Sequence, residues 1–368
     1  MHRVIAKSKE RQVLAVPRQY VFSLIAALLL LPTACKVQND EPLQRPGYVL
    51  SGYNVGAGFP DNTLTVFDPA TWQMHRQISI PRSWAKNFSR DPQGRLWIGF
   101  SGNARKSDNR LQIYSPQGDL LKTLKPCVDP EAGISFAAGR AFVVCAEKGF
   151  SGEVVVLNLQ TLAIEKTIAL SLPDKPLLLV SSAASEEAVV VAGSGVITLI
   201  DPRSLTVQAQ LQPGENTDIW RIVPHKERFY LLNVGSWQQP RERANDVLVL
   251  EPGNPPRITP LALAPSPLWG AITGDALYAY HNPTWNQANS DPKRQISRLD
   301  LTSKEVQIWQ LPDGWNASDL AVIDGKVVLA RWLGSGGDED GLYEFDPASG
   351  QVKQLLNVAD ASGVIAPR

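Results

Sequence analysis

Beyond residue 48 the apolar residues fall into short runs, each broken by a turn. The last stretch shows the pattern most fully. Leu320 to Ile323 is a short apolar run, and Asp324-Gly325-Lys326 is a tight turn of the kind that closes a hairpin. Val327 to Ala330 is a second run, and a Gly-rich loop leads to Leu342-Tyr343-Glu344-Phe345, where apolar and polar residues alternate. Asp346-Pro347-Ala348-Ser349-Gly350 then stops the strand, because proline has no N–H to donate and Asp and Gly suit a turn. Val352 to Leu356 makes a fourth strand. No stretch after residue 48 has a convincing 3.6-residue period, so helix content is predicted to be near zero.

The unit repeats. An apolar residue followed by Asp-Pro or a relative occurs at Phe67-Asp68-Pro69, Tyr114-Ser115-Pro116, Leu157-Asn158-Leu159, Ile200-Asp201-Pro202, Leu250-Glu251-Pro252, Leu299-Asp300-Leu301 and Phe345-Asp346-Pro347. Successive spacings are 47, 43, 43, 50, 49 and 46 residues. Four antiparallel strands in about 46 residues are the size of one propeller blade. The predicted fold is therefore all-β, a seven-bladed β-propeller of four-stranded antiparallel blades. Tyr48-Val49-Leu50 matches the second strand of the other units, so the first unit lacks its first strand. Gly363-Val364-Ile365-Ala366 is an apolar strand left over at the other end. Closure is predicted to come from this C-terminal strand completing blade one.

These repeats resemble the YVTN-type (WD40-like) seven-bladed propellers, whose units run strand, Asp-Gly turn, strand, then apolar-Asp-Pro-x-Thr. Phe67-Asp68-Pro69-Ala70-Thr71 and Ile200-Asp201-Pro202-Arg203-Ser204 fit best. Asp91-Pro92-Gln93-Gly94-Arg95-Leu96-Trp97-Ile98-Gly99 is also similar to the Gly-Leu-Trp-Ile turn of periplasmic sensor propellers. The resemblance covers nearly all of the chain after residue 48. It implies the fold and little about activity, since propellers host lactonases, lyases, dehydrogenases and plain binding platforms.

The N-terminal segment reads as an address. Arg3, Lys7, Lys9, Arg11 and Arg18 precede the apolar run Val21 to Leu31, which ends in Pro32-Thr33-Ala34-Cys35. A charged start, a short apolar stretch and small residues before a break make a secretory signal. Small residues followed by Cys resemble a bacterial lipobox, with Pro32 where Leu is usual. The resemblance implies lipidation at Cys35 and a stable membrane anchor; the alternative is an ordinary secreted protein with a coincidental cysteine. The expected organisation is a signal peptide at 1–34, a lipidated Cys with a polar tether at 35–47, and one propeller domain at 48–368. The expected location is the bacterial cell envelope, on the outer membrane or the periplasmic face. Lys36 after the cysteine favours the outer membrane in families with an aspartate sorting rule.

Charge then excludes one partner. The whole chain carries 36 Lys and Arg against 36 Asp and Glu. With no basic excess to neutralise a phosphate backbone, nucleic acid is not an expected partner.

Topology selects a face. In a propeller the first strand of each blade starts at one face, here called the top, and the Asp-Pro turns lie at the bottom. The bottom turns are short and alike. The top loops vary: Tyr53 to Asn62, Ser101 to Arg110, Gly235 to Asp246, His281 to Arg294 and Trp332 to Gly341, against a minimal Gly193-Ser194-Gly195. Variable loops on a rigid scaffold carry function. Trp84, Trp220, Trp269 and Trp315 fall where first strands enter the central channel, beside Lys86, Asn87, Arg221, Asn316 and Asp319. Trp237, Trp285 and Trp332 lie in long top loops, beside Arg241, His281, Asn282 and Arg331. A funnel of indole faces and polar groups would suit sugars, peptides or aromatic rings. The other reading is that the first-strand tryptophans wedge adjacent blades apart.

Remaining chemistry is sparse. Cys127 and Cys145 are brought to the same top edge of blade three by antiparallel pairing, so a disulfide is expected, with free thiols as the alternative. His75 and His225 read as structural, and His281 opens a top loop. Asp338-Glu339-Asp340 could hold Ca²⁺ or be a solvated turn. No cofactor is expected beyond that divalent metal. No zinc-protease, nucleophile-elbow or phosphate-loop motif occurs. Two functions stand. One is a lipid-anchored binding or interaction scaffold presenting its top face to an envelope protein, peptide or glycan. The other is a lactonase-like hydrolase or lyase with a metal in the channel and Asp319 as ligand or base.

Overall fold

The computed structural model describes residues 43–367, apart from 52–61, 81–82, 84, 86, 102–107, 131–132, 147–151, 171–179, 194, 215, 236–243, 283–293 and 333–338. Among the described residues 28 strands form seven four-stranded antiparallel sheets, and there is no helix. The innermost strands, from blade one to blade seven, are Ala361–Ile365, Asn87–Arg90, Gly133–Ala137, Val180–Ala184, Ile219–His225, Pro267–Thr273 and Ala317–Ile323. Each touches the next, and the seventh touches the first, so the sheets close into a ring.

Burial explains the sequence pattern. A blade's second strand has a partner strand on either side and a neighbouring blade on either face. Val189–Gly193 and Ala276–His281 are accordingly buried throughout, which is why they read as unbroken apolar runs. The outermost strands face solvent: Leu120–Leu124 is exposed along most of its length. The cores lie between blades, one of them joining Val234, Tyr280, Trp315, Leu329 and Phe345 from blades five, six and seven.

The bottom turns are held by one device. The Asp68, Asp201, Asp300 and Asp346 carboxylates each accept the backbone N–H two residues on, at 2.7–3.0 Å. Asn158 and Ser115 do the same with their own oxygens. This side-chain turn is why the repeated acidic or polar residue ends each third strand. In blade two a related knot sits at the first hairpin. Asp91 is fully buried and accepts from Arg95 Nε at 2.6 Å and Trp97 Nε1 at 2.9 Å. Arg95 also donates to the Leu159 carbonyl of blade three at 2.8 Å.

The C-terminal strand joins blade one as its innermost strand, pairing Tyr48 with Ile365, Val49 with Val364 and Leu50 with Gly363. It starts two residues earlier than the apolar pattern alone suggests, at Ala361. Ser362 sits in a bulge there, and its hydroxyl donates to the Leu50 carbonyl at 2.8 Å.

Candidate functional site at the central channel

The channel is lined by inner strands, and three of these share a local irregularity. In blades five, six and seven a bulge falls near the top of the inner strand, just before Arg221, Trp269 and Asp319. Past it, Arg221 faces Leu232, Trp269 faces Tyr280 and Asp319 faces Ala330. The three side chains thus occupy one register position in consecutive blades. They meet: the Arg221 guanidinium lies 5.9 Å from the Trp269 ring and 3.9 Å from the Asp319 carboxylate. Trp269 in turn meets Trp220 edge to face at 5.8 Å.

Asp319 is buried, and its hydrogen bonds explain why it is tolerated. An innermost strand has one edge without a partner strand, so its backbone donors need other acceptors. Asp319 Oδ2 accepts the Val364 N–H at 3.0 Å, and Oδ1 accepts the Leu320 N–H at 2.9 Å. Burial pushes its carboxyl above the usual range, against the pull of Arg221 and of those two N–H groups. Gly363 makes room for this reach. A Cβ there would stand 2.8 Å from the Phe88 ring and 3.7 Å from Asp319 Oδ2.

Below this level a cavity of about 320 Å³ opens among the inner strands of blades five, six, seven and one. Its walls include Ile222, Gly270, Ala271, Leu320 and Val364, with Arg221 at its upper end and His225 at its lower end. Among the described residues nominated from the sequence, Arg221 is the one that lines it. The arrangement offers a guanidinium at the head of an open cavity of mixed polar and apolar lining, which suits an anionic or carbonyl-bearing group.

Of the first-strand tryptophans, Trp315, Trp220 and Trp269 lie among the described residues, and they take the inter-blade packing position that is the other reading for them. Trp315 is only 4% exposed, buried between blades six and seven, with Tyr343 edge to face at 4.9 Å and the Arg331 guanidinium 4.7 Å from its ring. Trp220 and Trp269 pack against the same inter-blade core. His281, which opens a top loop, is enclosed as well. It is fully buried, with Nδ1 3.1 Å from the Pro265 carbonyl and Nε2 2.7 Å from Ser297 Oγ. A carbonyl can only accept, so Nδ1 carries the proton and Nε2 accepts from the serine. Burial pushes its pKa down to about 4. Asn282 is buried beside it, while Asn316 and Trp332 are half-buried and linked by a backbone hydrogen bond at the top of blade seven.

Trp84, Lys86, Trp237 and Trp285 lie outside the described residues, as does the side chain of Asn87. Of the acidic loop, Glu339 pairs with Arg331 at 2.9 Å and Asp340 accepts the Asp360 N–H at 2.9 Å. Asp338 lies outside the described residues. Cys127 and Cys145 are joined as a disulfide. Glu153 lies close to the two sulfurs, and among the described residues this is the one grouping of three atoms of metal-ligand type. Asp319 belongs to no such grouping. Tyr343, Gly363 and the Val364 N–H were not nominated from the sequence. Their roles depend on which blades become neighbours, which no local motif records.

No protein-family model matches the chain, and no curated protein matches it. Solved structures do. A protein from Bacteroides uniformis assigned as a 6-phosphogluconolactonase has a TM-score of 0.62 at 10% identity, covering 88% of this chain and 99% of that one. A functionally unknown protein from Desulfotomaculum acetoxidans has a TM-score of 0.60 at 15% identity, with the same coverages. BamB from Moraxella catarrhalis has a TM-score of 0.52 at 13% identity, covering 88% and 85%. WD40 domains of Neurospora crassa Pan2 and of Sif2 are also similar in fold. At these identities the likeness is one of architecture: the chain is a seven-bladed β-propeller, similar in fold to lactonase-like and WD40 propellers alike.

Proposed function

We propose that this chain is an exported, lipid-anchored propeller that works as a binding scaffold in the bacterial envelope. Cys35 would carry the anchor, and the top face would receive a protein, peptide or glycan. The observation that supports a binding role is the Arg221 cluster: a guanidinium set by Trp269 and Asp319 at the head of the channel cavity, built from three consecutive blades. Such a site holds an acidic or carbonyl group without needing a reacting residue. The positively charged start, the apolar run and Cys35 support export and anchoring.

Photo-crosslinking in cells tests the scaffold. A crosslinking amino acid at Asn316 or Trp332, on the top, is expected to capture a partner, and one at Ala348, on the bottom, is not. Equal capture from both faces, or none from the top, would overturn the reading. Replacement of Cys35 by Ser should release the protein from the membrane fraction.

The lactonase-like alternative draws on the Bacteroides uniformis fold neighbour. It would use Asp319 as a ligand or base, with a divalent metal such as Ca²⁺. One tightly held metal ion per purified chain, with lactone hydrolysis lost in Asp319→Asn, would favour it.

A further inference from the structure

A second and larger cavity, of about 720 Å³, lies away from the channel, between the outer part of blade four and the face of blade five. Its wall combines apolar surface from Leu248, Ile258 and Pro260 with polar groups from Asn216, Asn233 and Asp246. Among the described residues that line it there is one carboxylate, Asp246, and no Lys or Arg.

Asn233 is the residue that organises this groove. It is buried at the end of blade five's second strand and pairs in register with Asp246 at the start of the third. Its Oδ1 accepts two backbone N–H groups, from Asp218 at 3.2 Å and from Gly235 at 3.1 Å. Those bonds fix which end of the amide is oxygen. The NH₂ end must then point at Asp246, and it donates to Oδ1 at 2.9 Å. Asp246 is thus clamped by a rigid neutral donor. A carboxylate held this way in a half-buried site gains most from a positively charged partner. Burial raises its carboxyl pKa, with the Asn233 bond acting against that rise.

We propose that the groove between blades four and five binds an organic cation, an ammonium or guanidinium on a short aliphatic stem, with its charge on Asp246. The stem lies along Leu248, Ile258 and Pro260. Either a free amine or a Lys or Arg side chain of a peptide presents this chemistry. The inference is independent of the channel reading, since the two cavities share no lining residue.

Nitrogen-resolved NMR of the full chain after the signal provides the test, with the Asn233 side-chain amide as reporter. Butylguanidinium and butylammonium are expected to shift that resonance, and neutral butylurea is not. Asp246→Asn should weaken the response at least ten-fold. Acetyl-Gly-Arg-Gly-amide distinguishes the sources: tighter binding than butylguanidinium assigns the groove to peptides, and equal binding to free cations. A shift of the same size with butylurea, no shift with either cation, or an unchanged response in Asp246→Asn overturns the proposal. The butylurea comparison uses the unaltered protein, so it holds even if the variant does not fold.

Discussion

Acidification should expose the cost of burying His281. In the folded protein its imidazole is fully enclosed, donating from Nδ1 to Pro265 and accepting at Nε2 from Ser297. Burial holds its pKa at about 4, against 6.5 for the free side chain. Below pH 6.5 the unfolded chain takes up a proton that the folded chain refuses. Stability is therefore full above that value and drains away as the pH falls towards 4. With 1.36 kcal/mol per pKa unit, the loss between pH 7 and pH 4.5 is about 2.5 kcal/mol. Urea unfolding followed by circular dichroism reads this directly. At a slope near 3 kcal/mol per molar, the midpoint should drop by about 0.8 M over that interval. His281→Gln is expected to be less stable at pH 7, having lost one buried hydrogen bond, yet its midpoint should change little over the same interval. The exposed turn carboxylates Asp201, Asp300 and Asp346 are held below their usual range. They lose their contribution only at lower pH, outside this window. Asp319 and Asp246 work in the opposite sense. Burial raises both carboxyls, so the folded chain holds their protons more tightly and gains stability as the pH falls. Asp319→Asn should thus steepen the fall. A flat wild-type profile, or one equally steep in His281→Gln, would refute the reasoning.

Other expectations concern the ring and its seam. Asp319→Ala strips the acceptor from the Val364 and Leu320 N–H groups and should cost about 2–4 kcal/mol, whereas Asp319→Asn keeps one carbonyl acceptor and should cost about 1 kcal/mol; urea midpoints at pH 7 compare the two. Gly363→Val drives a branched side chain into the Phe88 ring and should destabilise by about 1–3 kcal/mol, read as a lower Tm. Deleting residues 362–368 removes most of blade one's inner strand; a truncated chain with an unchanged Tm would contradict the closure seen here. Reducing the Cys127–Cys145 bond opens a loop with an 18-residue separation and should cost about 3 kcal/mol, checked by unfolding with and without reductant.

The parts of this fold that can be read from sequence are those written in local chemistry. Asp68, Asp201, Asp300 and Asp346 mark their turns because each bonds the backbone two residues on, an interaction complete within one short segment. The leftover strand at the C-terminus is legible because the first unit visibly lacks one. The site is harder to read. Arg221, Trp269 and Asp319 share a level only because a bulge shifts each inner strand by one residue, and nothing in their neighbouring sequence announces it. Trp315 reads as a funnel residue until Arg331 and Tyr343, from the second and third strands of blade seven, enclose it. Asn233 carries no signal at all, since its partners at 216, 218 and 246 are assembled by strand register.

The bond from Ser362 to Leu50 joins residues 312 positions apart. A ribosome must therefore finish nearly the whole chain before blade one can be completed. Until then its Gly47–Ser51 strand has one bare side, an invitation to pair with a wrong partner. Linking Ala366 to Gly47 by a short peptide and cutting the chain at a bottom turn would convert that last, distant event into an early, local one, and should speed refolding.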